Sequence, residues 1–155
     1  MNAAPSSRDG GPHNAARGRL VLVPNTLDLA TVATPIDQVL GHGVLQRAAS
    51  LRHWAVESAK TSRVFMKRVA EHAPLIEPLQ ALDIRELPRA RKGGGDAIPD
   101  TEWAALLKPA LAGEDVGLLS EAGLPAVADP GALLVAAAHR LGVVVMQGYL
   151  FSRPV

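Results

Sequence analysis

The chain has 155 residues, a formal net charge of +1 and no cysteine, and 48% of its residues are apolar while only 3% are aromatic. That length supports one domain with a real core, and the missing cysteines exclude disulfides and a thiolate nucleophile. No apolar run reaches about 18 residues, so no membrane span is expected, and the cysteine-free, leaderless opening favours a cytoplasmic location.

Residues 1–17 are polar, small and Pro/Gly-punctuated, and a disordered extension is expected there. Arg19 to Val23, RLVLV, has the short aliphatic run of a parallel strand covered on both faces. Pro24 ends it, and a loop rich in Asn, Thr and Asp follows. Thr34 and Pro35 predict a helix start, with Thr34 as cap and Pro35 in the first turn. Gly41 to Gly43 interrupts that helix, and helical character resumes from Val44 to Leu51. His53 to Val56 is the second predicted strand.

Ser58 then predicts the cap of a helix through AKTSRVFMKRVAEH, with Phe65 and Val69 four apart and facing the sheet. Lys60, Arg63 and Lys67 fall together on another face of the same helix. A strand over Leu82–Leu87 is followed by the polar, Gly-rich segment RARKGGGDAIPD, where a mobile loop is expected. Asp100 is read as the cap of the next helix, whose apolar positions recur with a 3.6-residue period. Pro109 is expected to kink or split that helix, and Gly113 to end it. Val116 to Leu119 forms the fourth strand, Ala132 to Leu141 a helix apolar nearly all round and therefore deeply buried, and Val143 to Met146 the last strand. Alternating strands and helices predict an α/β fold: a parallel sheet of about five strands with helices on both faces.

Charge is segregated along the chain. Arg52 to Lys92 carries nine basic and five acidic residues, whereas Gly93 to Gly131 carries seven acidic residues and one basic. Such a division suits either a solvated surface or the orientation of a polyanion such as RNA. The histidines at 13, 42, 53, 72 and 139 lack metal-ligand spacing, so no metal site is expected. Gly41-His42-Gly43 lacks the third glycine of a dinucleotide fingerprint, and Gly93-Gly94-Gly95 lacks the Lys-Ser or Lys-Thr of a phosphate loop.

The most informative stretch is Val116 to Gly131, VGLLSEAGLPAVADPG. An apolar strand runs into a Gly/Pro-punctuated loop, at the strand end where open α/β sheets bind ligands. Gly123 permits close backbone approach, and Ser120 and Glu121 are polar. From the residues alone, an ordinary strand-loop-helix connection accounts for the segment equally well.

SEAGLPAVADPG resembles the S-D-A-G-x-P-x-x-x-D-P-G signature of the tetrapyrrole methylase superfamily, in the branch containing ribosomal RNA small subunit methyltransferase I. GRLVLVPNTLDL stands where that family has its first strand and Pro-containing loop. HWAVESAKTSRVFMKRV stands in place of its A-E-D-T-R-x-T-x-x-L-L segment. The similarity runs from about Gly18 to Val145 and implies an amino-terminal, S-adenosylmethionine (SAM)-binding α/β domain over residues 18–146. By that resemblance Pro24, Asn25, Ser120, Glu121, Ala122, Gly123 and Val127 line the cofactor site, and the methyl acceptor is ribosomal RNA or, as the second reading, a small tetrapyrrole-like molecule. Val127 reads equally as core packing. Glu57, Lys60 and Arg63 are the candidate catalytic residues. Glu57 suits either a base or a helix cap, and Ser58 occupies the position of the family's second acidic residue. The alternative is a catalytically inactive, truncated interaction module on the same scaffold.

Family members continue into a P-L-x-G-P-S-S or P-G-x-S-A loop and a second α/β domain, with the SAM cleft between the two. Residues 147–155 instead form an atypical tail, and QGYLFSRP resembles the end of EAL-type cyclic-dinucleotide phosphodiesterase domains, whose catalytic acids this chain lacks. A truncated, frameshifted or recombined reading frame is therefore expected, with weak SAM binding and a homodimer formed through the surface the second domain would cover.

Overall fold

The computed structural model describes residues 17–25, 35–89, 98–119 and 131–147. They form a parallel sheet with helices on both faces. The elements run β1 (Arg19–Val23), α1 (Ile36–Val39), α2 (His42–Ala49), β2 (His53–Val56), α3 (Ala59–Ala70), β3 (Asp83–Glu86), α4 (Asp100–Leu111), β4 (Val116–Leu119), α5 (Gly131–Leu141) and β5 (Val144–Gln147). A short 3₁₀ turn, Leu79–Ala81, precedes β3.

The five strands lie in the order β3-β2-β4-β1-β5. In its layers this is a Rossmann-like, doubly wound sheet, the general kind of scaffold on which SAM-binding proteins are built. Its order departs from the 3-2-1-4-5 succession of dinucleotide-binding sheets, because β4 enters between β1 and β2 and pairs with both.

Period-two alternation divides the strand side chains between two cores. On one face Val21, Val23, Trp54, Val56 and Leu119 pack with Val44, Leu45, Phe65, Met66 and Val69 of α2 and α3. On the other, Leu20, Leu22, Ala55, Val116 and Leu118 pack with Trp103, Leu107, Leu134 and Ala138 of α4 and α5. Gly117 makes the first core possible: a Cβ there would stand 2.7 Å from the Trp54 ring.

β1, β2 and β4 coincide with the stretches read from sequence, because each carries an apolar run buried on both faces, preceded in β1 by the exposed Arg19 and in β2 by the half-buried His53. β5 is displaced by one residue, which assigns Gln147 to the sheet and not to the tail. Arg17, taken as part of the disordered extension, donates from Nη1 to the Leu141 carbonyl at 2.9 Å. Residues 1–16, 90–97 and 148–155, covering the rest of the extension, most of the Gly-rich loop and the rest of the tail, lie outside the described residues.

Several local expectations are corrected. Pro35 occupies the cap position of α1, not its first turn, and Thr34 lies outside the described residues. α2 starts at His42 and takes in Gly43. Asp100 is the first helical residue of α4, behind Pro99, and its carboxylate pairs with Arg140 at 2.8 Å.

Pro109 neither splits nor ends α4. It falls in the last turns, where burial of Trp103, Leu106, Leu107 and Ala110 along one side holds the helix in place. Its carbonyl accepts from Glu114 N at 2.9 Å, and Gly113, with φ of 106°, makes the left-handed turn that closes the helix. α5 is buried along one side only: Leu134, Ala137 and Ala138 face the sheet, while Leu133 remains 55% exposed, because a single helical layer covers this face.

Candidate functional site at the carboxyl ends of the strands

The register places the ends of three neighbouring strands side by side. Leu119 of β4 lies opposite Val23 of β1 and opposite Val56 of β2. The chain leaves β1 toward α1 and α2 on one face, whereas the chain leaving β4 enters α5 on the other. Hydrogen-bonded neighbours followed in the chain by helices on opposite faces mark a topological switch point, the usual ligand position in such sheets.

Asn25 stands at the exit of β1 and is 5% exposed; it and Ser62 are the buried polar side chains among the described residues. Pro24 precedes it, partly exposed. Glu57 follows β2, and its backbone N–H donates to the Leu119 carbonyl at 3.3 Å, joining the two strand exits. Ser120, Glu121, Ala122, Gly123 and Val127 lie outside the described residues, as does the rest of that loop.

α3 begins at this edge because Ser58, in extended conformation, turns its Oγ to accept from Thr61 N at 3.3 Å. A carboxylate also reaches the first turn, and it is that of Glu86, at the end of β3: Oε2 accepts from Ala59 N at 2.8 Å. The sequence reading offered the capping role to Glu57 and missed Glu86. Arg89, also missed, donates from Nη2 to the Glu57 carbonyl at 3.4 Å. Both follow from β3 pairing with β2, which brings Glu86 opposite Val56. The available signal was a carboxylate near the end of the predicted strand, Glu86, with an arginine, Arg89, just past it. Lys60 and Arg63 project into solvent from the first two turns. Backbone contacts thus draw Glu57, Ser58, Glu86 and Arg89 into one cluster, with Asn25 two strands away in the sheet order.

The opposite edge is more heavily bonded. Asp115, just before β4, accepts from Arg19 N at 2.8 Å and pairs with Arg47. Arg52 pairs with Glu77 and, at 3.1 Å, with Glu114. His53 hydrogen-bonds Asp83 at 2.8 Å through Nδ1 and Glu114 at 3.0 Å through Nε2. Burial pushes the Asp83 carboxyl up, but hydrogen bonds from His53 and Arg85 outweigh it and hold the group below the ordinary Asp value. The hydrogen bond from His53, aided by Arg52 and opposed by desolvation, likewise lowers Glu114. These contacts tie strand starts together and leave no nucleophile or open ligand position among them.

Two hollows of about 350 and 360 Å³ lie elsewhere, one between α4 and α5 at Ala104 and Ala137, the other between the carboxyl ends of α2 and α3 at Gln46 and His72. Neither touches Pro24, Asn25 or Glu57. Among the described residues no group of His, Asp and Glu is arranged to hold a metal ion, and no helix is long and apolar enough to cross a membrane. No protein-family model matches the chain, and no curated protein matches it significantly.

Proposed function

We propose that this chain is the SAM-binding α/β domain of a methyltransferase of the tetrapyrrole methylase superfamily, acting on ribosomal RNA. The observation that carries the reading is the adjacency of β1 and β4 with exits on opposite faces. It makes Pro24 and Asn25 neighbours of the strand that leads into SEAGLPAVADPG, which supports a shared site for two of the three segments that resemble the family.

The donor set suits the cofactor: the Asn25 side-chain amide can both donate and accept, and a Gly- and Ala-rich loop offers main chain to a ligand in close contact. When bound, SAM supplies a methyl group activated by the sulfonium. The protein's task is then to orient donor and acceptor at near-attack distance and to exclude water. Asn25 with Ser120, Glu121, Ala122 and Gly123 holds the cofactor, and Val127 packs against it. Glu57 accepts the acceptor's proton, while Lys60 and Arg63 orient the anionic substrate. A cytoplasmic location and a homodimer belong to the same reading, the latter supported by the exposure of Leu133 and Val144.

Isothermal titration with SAM tests the proposal. The wild-type chain is expected to bind one equivalent, and Gly123→Val to bind at least about tenfold more weakly, since branched atoms would occupy the ligand's space. Equal affinity in both, or no heat from wild type, overturns the site. Transfer of a labelled methyl group to ribosomal RNA then separates an enzyme from a module that binds SAM without turnover.

A further inference from the structure

Among the described residues the cations differ in how they are engaged. Arg47, Arg52, Arg85 and Arg140 are each paired with a carboxylate. Lys60, Arg63 and Lys67, by contrast, are exposed on α3, and among the described residues no carboxylate lies within ion-pair reach of them. At 100° per residue the three lie within about 60° of one another around the helix axis, and Lys60 and Lys67 are roughly 10 Å apart along it. Glu71, at the carboxyl end of α3, continues the stripe, so its positive part is the end nearest the carboxyl edge of the sheet.

The placement of Lys60 runs against helix electrostatics. The amino end of a helix favours anions, yet the first turn of α3 contains no acidic residue of its own and does contain this lysine. The Glu86 carboxylate on Ala59 N already answers the helix dipole at that end, so the positive charge of this face comes from the three side chains themselves. The aromatic residues of the described chain are buried: Trp54, Phe65 and Trp103 are at most 3% exposed. This face therefore offers charge without a stacking platform for bases.

We infer that the outward face of α3, through Lys60, Arg63 and Lys67, is a docking surface for the phosphate backbone of RNA, contacting phosphates and not reading bases. This deepens the RNA-acceptor reading above by naming the surface and the mode of contact. Binding is electrostatic, steeply salt-dependent and insensitive to sequence.

The test is fluorescence anisotropy of the full chain with labelled single-stranded RNA, without SAM, over a salt series. It reports on this surface whether or not SAM binds, so the two readings fail separately. With three phosphate contacts, the log of the binding constant should fall against log salt with a slope of about −2, and poly(A) and poly(U) should bind within roughly twofold of each other. Arg63→Gln should flatten the slope by about 0.7, whereas Lys108→Gln, an equal charge change on α4, should leave it unaltered. Equal effects of the two substitutions would reduce the interaction to net charge and overturn the proposal. So would a strong base preference, or binding to anionic phosphatidylglycerol vesicles with none to RNA.

Discussion

At the amino ends of the strands, Arg47, Arg52, His53 and Arg85 meet the carboxylates of Asp115, Glu77, Glu114 and Asp83. At the carboxyl ends, Ser58, Glu86 and Arg89 bond to backbone, and Lys60 and Arg63 reach solvent without a carboxylate partner among the described residues. Both edges belong to one sheet and are cut from the same strands. One uses its charges to fasten the loops that feed the strands, and the other keeps polar groups beside diverging exits. That division separates stability from binding, and substitutions at the two edges should therefore read out differently.

The largest effect is expected at Gly18, on the fastened edge. A Cβ there would lie 2.1 Å from the Glu114 carbonyl oxygen, which is backbone and cannot swing aside. Gly18→Ala should cost about 3 kcal/mol or more in urea unfolding. A loss under about 1 kcal/mol would mean that this edge yields easily, and the contrast would fail.

Asp115→Ala ranks next. It removes the acceptor of the exposed Arg19 N–H and the partner of Arg47, the second pair partly buried, and should cost about 1–3 kcal/mol by the same measurement.

Acid should act through the same edge. Asp83 and Glu114 are held below their ordinary values, so their bonds contribute fully above the unfolded carboxylate range, near about pH 4. That contribution is lost as pH falls through their folded values. The melting temperature should therefore drop more steeply between pH 6 and pH 3 in wild type than in His53→Gln, which lacks the shared imidazole partner; parallel curves would remove His53 from the account.

The smallest stability effects belong to the other edge. Lys60→Gln and Arg63→Gln should each change unfolding free energy by no more than about 0.5 kcal/mol while weakening RNA binding. A large loss of stability would show that these cations, too, are structural.

The positions of β1, β2 and β4 were legible because a strand buried on both faces has to be an uninterrupted apolar run, and that constraint is local. Ser58 was legible for a similar reason, since a cap needs only a short oxygen-bearing side chain three residues before an open amide. Gly113 likewise marked the end of α4, which the structure closes with a left-handed turn. Asp100 misled, because a residue type that favours caps serves equally well as a first-turn acid beside the helix dipole, and only the approach of Arg140 shows which role it plays. The face of α5 misled as well: composition counts apolar residues, but exposure depends on how many layers cover the helix.

Local periodicity and side-chain chemistry thus fix which segments become strands or helices, since those choices depend on neighbours within a few positions along the chain. Tertiary structure alone decided that β4 lies between β1 and β2, that Glu86 reaches the start of α3, and that His53 meets acids from two distant segments. Each depends on which strands become neighbours, and that is settled when right-handed crossovers and two separate cores are satisfied together.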